Sequence, residues 1–233
     1  MTLWVAGDSV RGPAHAMAGA CNQDAFGTWG WQRGIVAAVC DGMGSRPLSH
    51  VGSRQACHSV RHIIRSGTSW DEPKVLIGRI YRHWMQALPV APSQAPCTVL
   101  LAACRPDGDT LIAQLGDGLL AYRAGGQFGV LTPARAGFSN ETDALGQSRA
   151  WADWRVARLR LEAPGDGIVL MTDGVSDDLV PARLEAFVEM LRRECAPRSR
   201  RQSRIWLRQQ LTAWQTPEHG DDKTIAMIFR RAT

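Results

Sequence analysis

Apolar and polar positions change period several times along this chain, and each change marks an element. Leu3 to Ala6 predicts a first short strand. Ala25 to Trp31 and Gly34 to Cys40 alternate or run apolar around a polar turn, which predicts a hairpin. From Ser49 the period lengthens. Val51, Ala56, Val60, Ile63 and Ile64 suit the inner face of a helix ending near Gly67. A second helix follows, with Ser69 or Asp71 as N-cap, Pro73 in its first turn, and Val75, Leu76, Ile80, Trp84 and Leu88 as its apolar positions. "PVAPSQAP" then breaks the chain as a loop. Strands resume at Thr98 to Cys104, Thr110 to Leu115, Leu119 to Arg123 and Phe128 to Leu131, with turns at Asp107-Gly108 and Gly125-Gly126. The polar stretch 133–153 reads as a surface loop or flap. Arg155 to Leu161 predicts a strand with one exposed face, and Ile168 to Thr172 a buried one. Pro181 to Glu194 and Arg204 to Trp214 read as helices, and Thr224 to Phe229 as a last strand.

Strands, two helices, many strands, two helices and one strand form segregated runs, which favours an α+β fold over alternating βαβ units. Two antiparallel sheets packed together, with helices outside each, would bury every apolar face. The 233 residues suit a substantial core and show neither a repeat nor a clear linker. At 45% apolar and 21% charged the composition is ordinary for a globular protein. No apolar run approaches the about 20 residues of a membrane span, and the N-terminus lacks the basic and apolar regions of a signal peptide, so a cytoplasmic location is expected.

Charge and cysteine change the picture little. The net charge is +5, carried almost wholly by arginine, since Lys74 and Lys223 are the only lysines. The basic cluster "RRECAPRSRRQSR" lacks interleaved aromatics and reads as a solvated surface rather than a nucleic-acid footprint. The six cysteines are scattered without a C-x-x-C pair and read as buried, reduced thiols. His58 and His62 stand four apart on a helix, but two imidazoles without a third ligand make a weak metal site. There is no G-x-S-x-G, no P-loop and no G-x-G-x-x-G.

The acids carry more. Three core strands run into an aspartate beside glycine, at Asp41-Gly42, Asp117-Gly118 and Asp173-Gly174. Asp24 in "NQDAF" and the pair Asp221-Asp222 stand at further strand ends. One Asp-Gly is a turn. Several converging carboxylates repel one another and call for a cation. Hard oxygen donors suit Mg²⁺ or Mn²⁺, and two such ions about 4 Å apart can activate a water for phosphoester hydrolysis.

The ordered set "NQDAF", "VCDGMGS", "CTVLLAA", "LIAQLGDGLLAYR", "DGIVLMTDGVSDDL" and "GDDKTIAMI" resembles the PP2C (PPM) family of metal-dependent protein serine/threonine phosphatases. The resemblance implies one phosphatase domain over 1–233, folded as a four-layer α-β-β-α sandwich on two mainly antiparallel central sheets. It implies that Asp41 bridges two Mn²⁺ or Mg²⁺ ions, with the Gly42 carbonyl on the second. Asp173 and Asp221 would complete the first ion's protein ligands, Asp24 would hold a water there, and Asp117 with Asp173 would form a third-ion site. Asp222 stands where the family usually has asparagine.

Three positions depart from the pattern. The family's phosphate-gripping arginine is Gly19, its glutamate for the second metal is Gln23, and "GDSR" reads Gly116-Asp117-Gly118-Leu119. Arg11 is a candidate replacement for the arginine, and His15 a candidate catalytic residue. The expected function is hydrolysis of phosphoserine and phosphothreonine on a kinase or its targets, by a monomer acting on neither nucleic acid nor membrane. The alternatives are a pseudophosphatase that binds a phosphoprotein with little turnover, favoured by Gly19 and Gln23, and an interaction module using the basic cluster.

Overall fold

The computed structural model describes residues 2–31, 34–132, 143–147, 150–214 and 220–231. Among the described residues ten strands form two five-stranded sheets, and all of their ladders are antiparallel. The first sheet takes β1 (Thr2–Val10), β10 (Lys223–Arg231), β9 (Gly167–Met171), β6 (Leu119–Ala124) and β7 (Gln127–Val130), in that spatial order. The second takes β2 (Ala25–Trp31), β3 (Gly34–Cys40), β4 (Val99–Cys104), β5 (Asp109–Leu115) and β8 (Arg155–Arg160). Alternate side chains of a strand face opposite sides, so each sheet supplies two apolar layers. Val39, Leu100, Ile112, Leu170 and Ile228 meet between the sheets. Val36, Leu101 and Leu111 pack outward on α2 (Ser49–Arg65) and α3 (Pro73–Ala87). Val169, Ile225 and Met227 pack outward on α5 (Leu184–Cys195) and α6 (Arg200–Thr212). The result is the expected α-β-β-α sandwich.

The elements differ from the sequence reading in several places. β1 runs nine residues rather than four, because it pairs with β10 along its whole length. Glu72 occupies the N-cap of α3 without a side-chain bond, while Ser69 and Asp71 bond each other. Two short helices were not expected: α1 (Pro13–Met17) and α4 (Asp173–Ser176). The helix expected over Pro181–Glu194 opens with a 3₁₀ turn at Pro181–Arg183 before α5 begins. α6 starts four residues before the expected Arg204, on a Ser199 cap whose hydroxyl accepts from the Gln202 N–H. Of the expected loop 133–153, residues 133–142, 148 and 149 lie outside the described residues. Within the rest, Leu145 is fully buried and bridges to Cys97. Five cysteines are buried as expected, but Cys21 is exposed.

The basic cluster is spent largely on intrachain bonds. Arg192 pairs with Glu189, Arg198 with Glu194, and Arg204 with the buried Asp8, while Arg200 donates to the Thr28 carbonyl. Among the described residues no helix is long and apolar enough to cross a membrane.

Candidate metal centre

The two sheets present their chain-reversing ends together at one edge of the sandwich. β3 ends there at Asp41, β5 at the loop holding Asp117, β9 at Asp173, and β10 begins there after Asp221-Asp222. Close backbone approach accounts for the glycines. A Cβ on Gly42 would stand 2.7 Å from the Ser49 carbonyl, and one on Gly174 would stand 2.0 Å from the Asp222 carbonyl. Any larger residue would push the acid-bearing turns apart.

Asp41, Asp117, Asp173 and Asp221 line one cavity of about 200 Å³ together with His15, Gln23, Gly42, Ser45 and Thr98. No lysine or arginine lines it among the described residues. Asp24 lies buried at its base, where Oδ2 accepts from the Thr172 hydroxyl at 2.9 Å and the Thr224 hydroxyl at 2.6 Å. Asp41 is in hydrogen-bond contact with both Asp24 and Asp173. Burial and neighbouring carboxylates raise the pKa values of these groups. Asp24 is pushed up to about 7 and Asp173 to about 6, burial being the larger cause in each. Asp41 is raised well above the carboxylate range, by burial first and then by Asp24 and Asp173. Deprotonating these three groups together is unfavourable without a cation beside them.

Asp222 does different work from Asp221. Its buried carboxylate accepts from the Gly12 N–H at 2.7 Å and the Gln23 N–H at 2.6 Å, and so ties the segment after β1 to the start of β10. An asparagine could accept only one of these bonds, so the charge has a structural use here. His15 Nδ1 stands 2.9 Å from Asp222 Oδ2 but is not aligned for a hydrogen bond. His15, Asp221 and Asp222 each bring one ligand atom within 4.8 Å of the others.

Gln23 is held at its backbone by Asp222, by the Ser53 hydroxyl at 2.5 Å, and by the Gly42 N–H at 3.2 Å. Its side-chain Oε1 is buried and has no partner among the described residues. A buried carbonyl oxygen without a donor among the described residues, beside converging carboxylates, fits a hard metal ion. No pattern in the sequence marks Thr98, Thr172 and Thr224 as hydroxyl supports, or Lys223, which is buried and donates to the Asp221 carbonyl at 3.0 Å.

Arg11 does not line this cavity. Its Nη1 donates to the Ala20 carbonyl at 3.1 Å on the exposed side of the same segment. Gly19 has φ +68°, in the left-handed region where it ends α1, so an arginine there would be strained. His83 of α3 stacks on His62 with ring centroids 4.3 Å apart, yet His58, His62 and His83 do not converge as metal ligands.

The sequence model of the protein phosphatase 2C family matches residues 11–214. The chain belongs to the protein phosphatase 2C family. No curated protein matches it at significance. Solved structures share the fold at low identity. The photosystem II phosphatase PBCP superposes with TM-score 0.72 at 18% identity over 100% of both chains. The catalytic domain of the serine/threonine phosphatase PstP, solved with two manganese ions, gives 0.69 at 17% over 99% of both. PppA, a regulatory component of T6SS in Pseudomonas aeruginosa, gives 0.68 at 18% over 100% of this chain and 99% of that one.

Proposed function

We propose that this protein phosphatase 2C member is a metal-dependent hydrolase of phosphoserine and phosphothreonine in proteins, acting on a kinase or its targets. The observation that carries the reading is the one cavity into which Asp41, Asp117, Asp173 and Asp221 converge beside the buried Gln23 Oε1. Asp41, the Gly42 carbonyl, Asp173, Asp221 and Gln23 Oε1 would hold two Mn²⁺ or Mg²⁺ ions, and Asp117 with Asp173 a third. When bound, such ions supply Lewis acidity and a water that is nucleophilic near neutral pH. The chain's own residues set the geometry. The Thr172 and Thr224 hydroxyls fix Asp24 Oδ2 and so set the carboxyl against Asp41, where it would orient a water. His15 turns Nδ1 toward Asp222, which leaves Nε2 to protonate the departing serine or threonine oxygen.

The test is hydrolysis of an aryl phosphate and of a phosphothreonine peptide against Mn²⁺ concentration. Turnover of both that vanishes with EDTA supports the reading. Gln23 and Gly19 favour a second one, in which the fold binds a phosphoprotein with little turnover. Saturable phosphopeptide binding without hydrolysis at any metal concentration would establish that alternative.

A further inference from the structure

The two helix layers differ in charge. On α5, Glu189 and Glu194 pair with Arg192 and Arg198. α2 and α3 contain no aspartate or glutamate. They carry six arginines or lysines, at Arg54, Arg61, Arg65, Lys74, Arg79 and Arg82, together with four histidines. The neighbouring chain does not compensate. Asp71 and Asp109 are taken by Arg105 and Arg158, and among the described residues no carboxylate pairs with any of the six.

Part of this charge lines a groove of about 580 Å³ between the two helices, walled by His58, Arg61, His62 and Arg65 of α2 and His83 of α3. Residues 58, 61, 62 and 65 stand three or four apart, so one face of α2 presents all four. Like charges at that spacing repel, and nothing of opposite sign lines the groove among the described residues. The imidazoles are held in place. His83 Nδ1 lies 2.9 Å from the hydroxyl of the fully buried Ser59, and that hydroxyl accepts from Gln55 Nε2 at 3.3 Å. His83 Nε2 is left for the groove, where the ring stacks on His62. From Gln55 to Ser66 the groove runs about 16 Å along α2, the span of about five residues of extended chain.

The lining selects among anionic partners. Apart from imidazole it holds no aromatic ring on which bases could stack, as binding of single-stranded nucleic acid requires. It holds no large apolar side chain to enter a bilayer. Guanidinium forks and imidazole N–H groups suit carboxylates presented in succession along a chain. The groove also has a defined place relative to the metal centre. Ser49, at the start of α2, lies against Gly42, and Gln55 follows about 9 Å further along the helix. A partner docked here lies beside the carboxylate cavity without entering it.

We infer that this groove docks an acidic, extended segment of a protein partner, with its carboxylates on Arg61, Arg65 and the histidine pair. The probe is a short labelled peptide of alternating glutamate and serine, followed by fluorescence anisotropy at low salt in EDTA, so that metal plays no part. It should saturate, and should bind at least about tenfold more tightly than its glutamine counterpart. Arg61→Glu combined with Arg65→Glu should weaken it by about tenfold or more. Arg193→Glu combined with Arg201→Glu makes the same change of net charge at exposed positions of the other helix layer, and should alter the affinity by less than about twofold. Should the first pair fold poorly, Arg61→Gln with Arg65→Gln serves in its place. Absence of saturable binding overturns the inference. So do equal losses in the two charge-reversed pairs, an affinity shared by the glutamine peptide, or tighter binding of an oligothymidylate of the same charge or of phosphatidylserine vesicles.

Discussion

Replacing Asp41 by asparagine keeps its shape and removes its charge, at the point where Asp24 and Asp173 both meet it. Asp41→Asn and Asp173→Asn should each lower kcat by several orders of magnitude while the circular dichroism spectrum is kept; a tenth of the wild-type rate at saturating Mn²⁺ would dismiss the assignment. Gln23 allows a finer test. Its Oε1 is a neutral donor where the family carries a carboxylate. A tenfold change in metal affinity corresponds to only about 1.4 kcal/mol, well within reach of one added charge at a partly buried site. Gln23→Glu should therefore move the activity curve to lower Mn²⁺ by about tenfold, and coincident midpoints would mean that Gln23 does not face the ion. Arg11 is bonded to Ala20 on an exposed surface. If it swings over to grip phosphate, Arg11→Ala raises KM more than it lowers kcat, and an unchanged kcat/KM removes it from the site.

At the scale of elements, two contacts carry measurable stability. The Ser199 cap of α6 is reciprocal, with Gln202 Oε1 accepting from the Ser199 N–H. Ser199→Ala should cost about 1 kcal/mol in chemical denaturation. Gly52 of α2 lies against the Ala95 backbone, and a Cβ there would stand 1.8 Å from the Ala95 carbonyl. Gly52→Ala should lower Tm far more than alanine's gain in helix propensity would raise it. Elements with one clear period were legible beforehand: the 25–40 hairpin and α2 match the pattern of Val36, Val39, Val60 and Ile64. The start of α6 was not, because "RRQSR" reads as solvated charge until Arg200 and Arg204 are seen bonding Thr28 and Asp8. α1 is too short and too rich in alanine to show a period. The acids were visible as strand ends, but their convergence is a property of the topology, and spacing alone does not contain it. Nor could spacing show that Asp222 is a backbone clamp while its neighbour Asp221 faces the cavity.

At the scale of the whole molecule, the carboxylate cluster sets how stability responds to pH. Asp24 and Asp173 have folded pKa values of about 7 and about 6 against an ordinary 3.8, and Asp41 is also raised. The folded state thus holds more protons than the unfolded one between those values. Stability from this cluster is whole at acidic pH and is lost as pH rises from about 4 to about 7. A bound cation favours the deprotonated form and opposes the loss. The rise in Tm on adding Mn²⁺ should accordingly be larger at about pH 7.5 than at about pH 5, and an equal rise at both would show that the ion binds elsewhere. The arrangement of β10 has a consequence for synthesis. β10, which follows the other nine described strands in the chain, lies inside the first sheet, between β1 and β9, and Asp222 just before it fastens Gly12 and Gln23. Until it emerges, the earliest strand has no neighbour in its sheet and the cavity lacks Asp221. The nascent chain can complete its second sheet early, but its first must wait for β10, and contacts of such long sequence separation form slowly. A chain stalled at residue 220 should be protease-sensitive across β1 and inert toward phosphoesters, so no active state precedes the synthesis of β10.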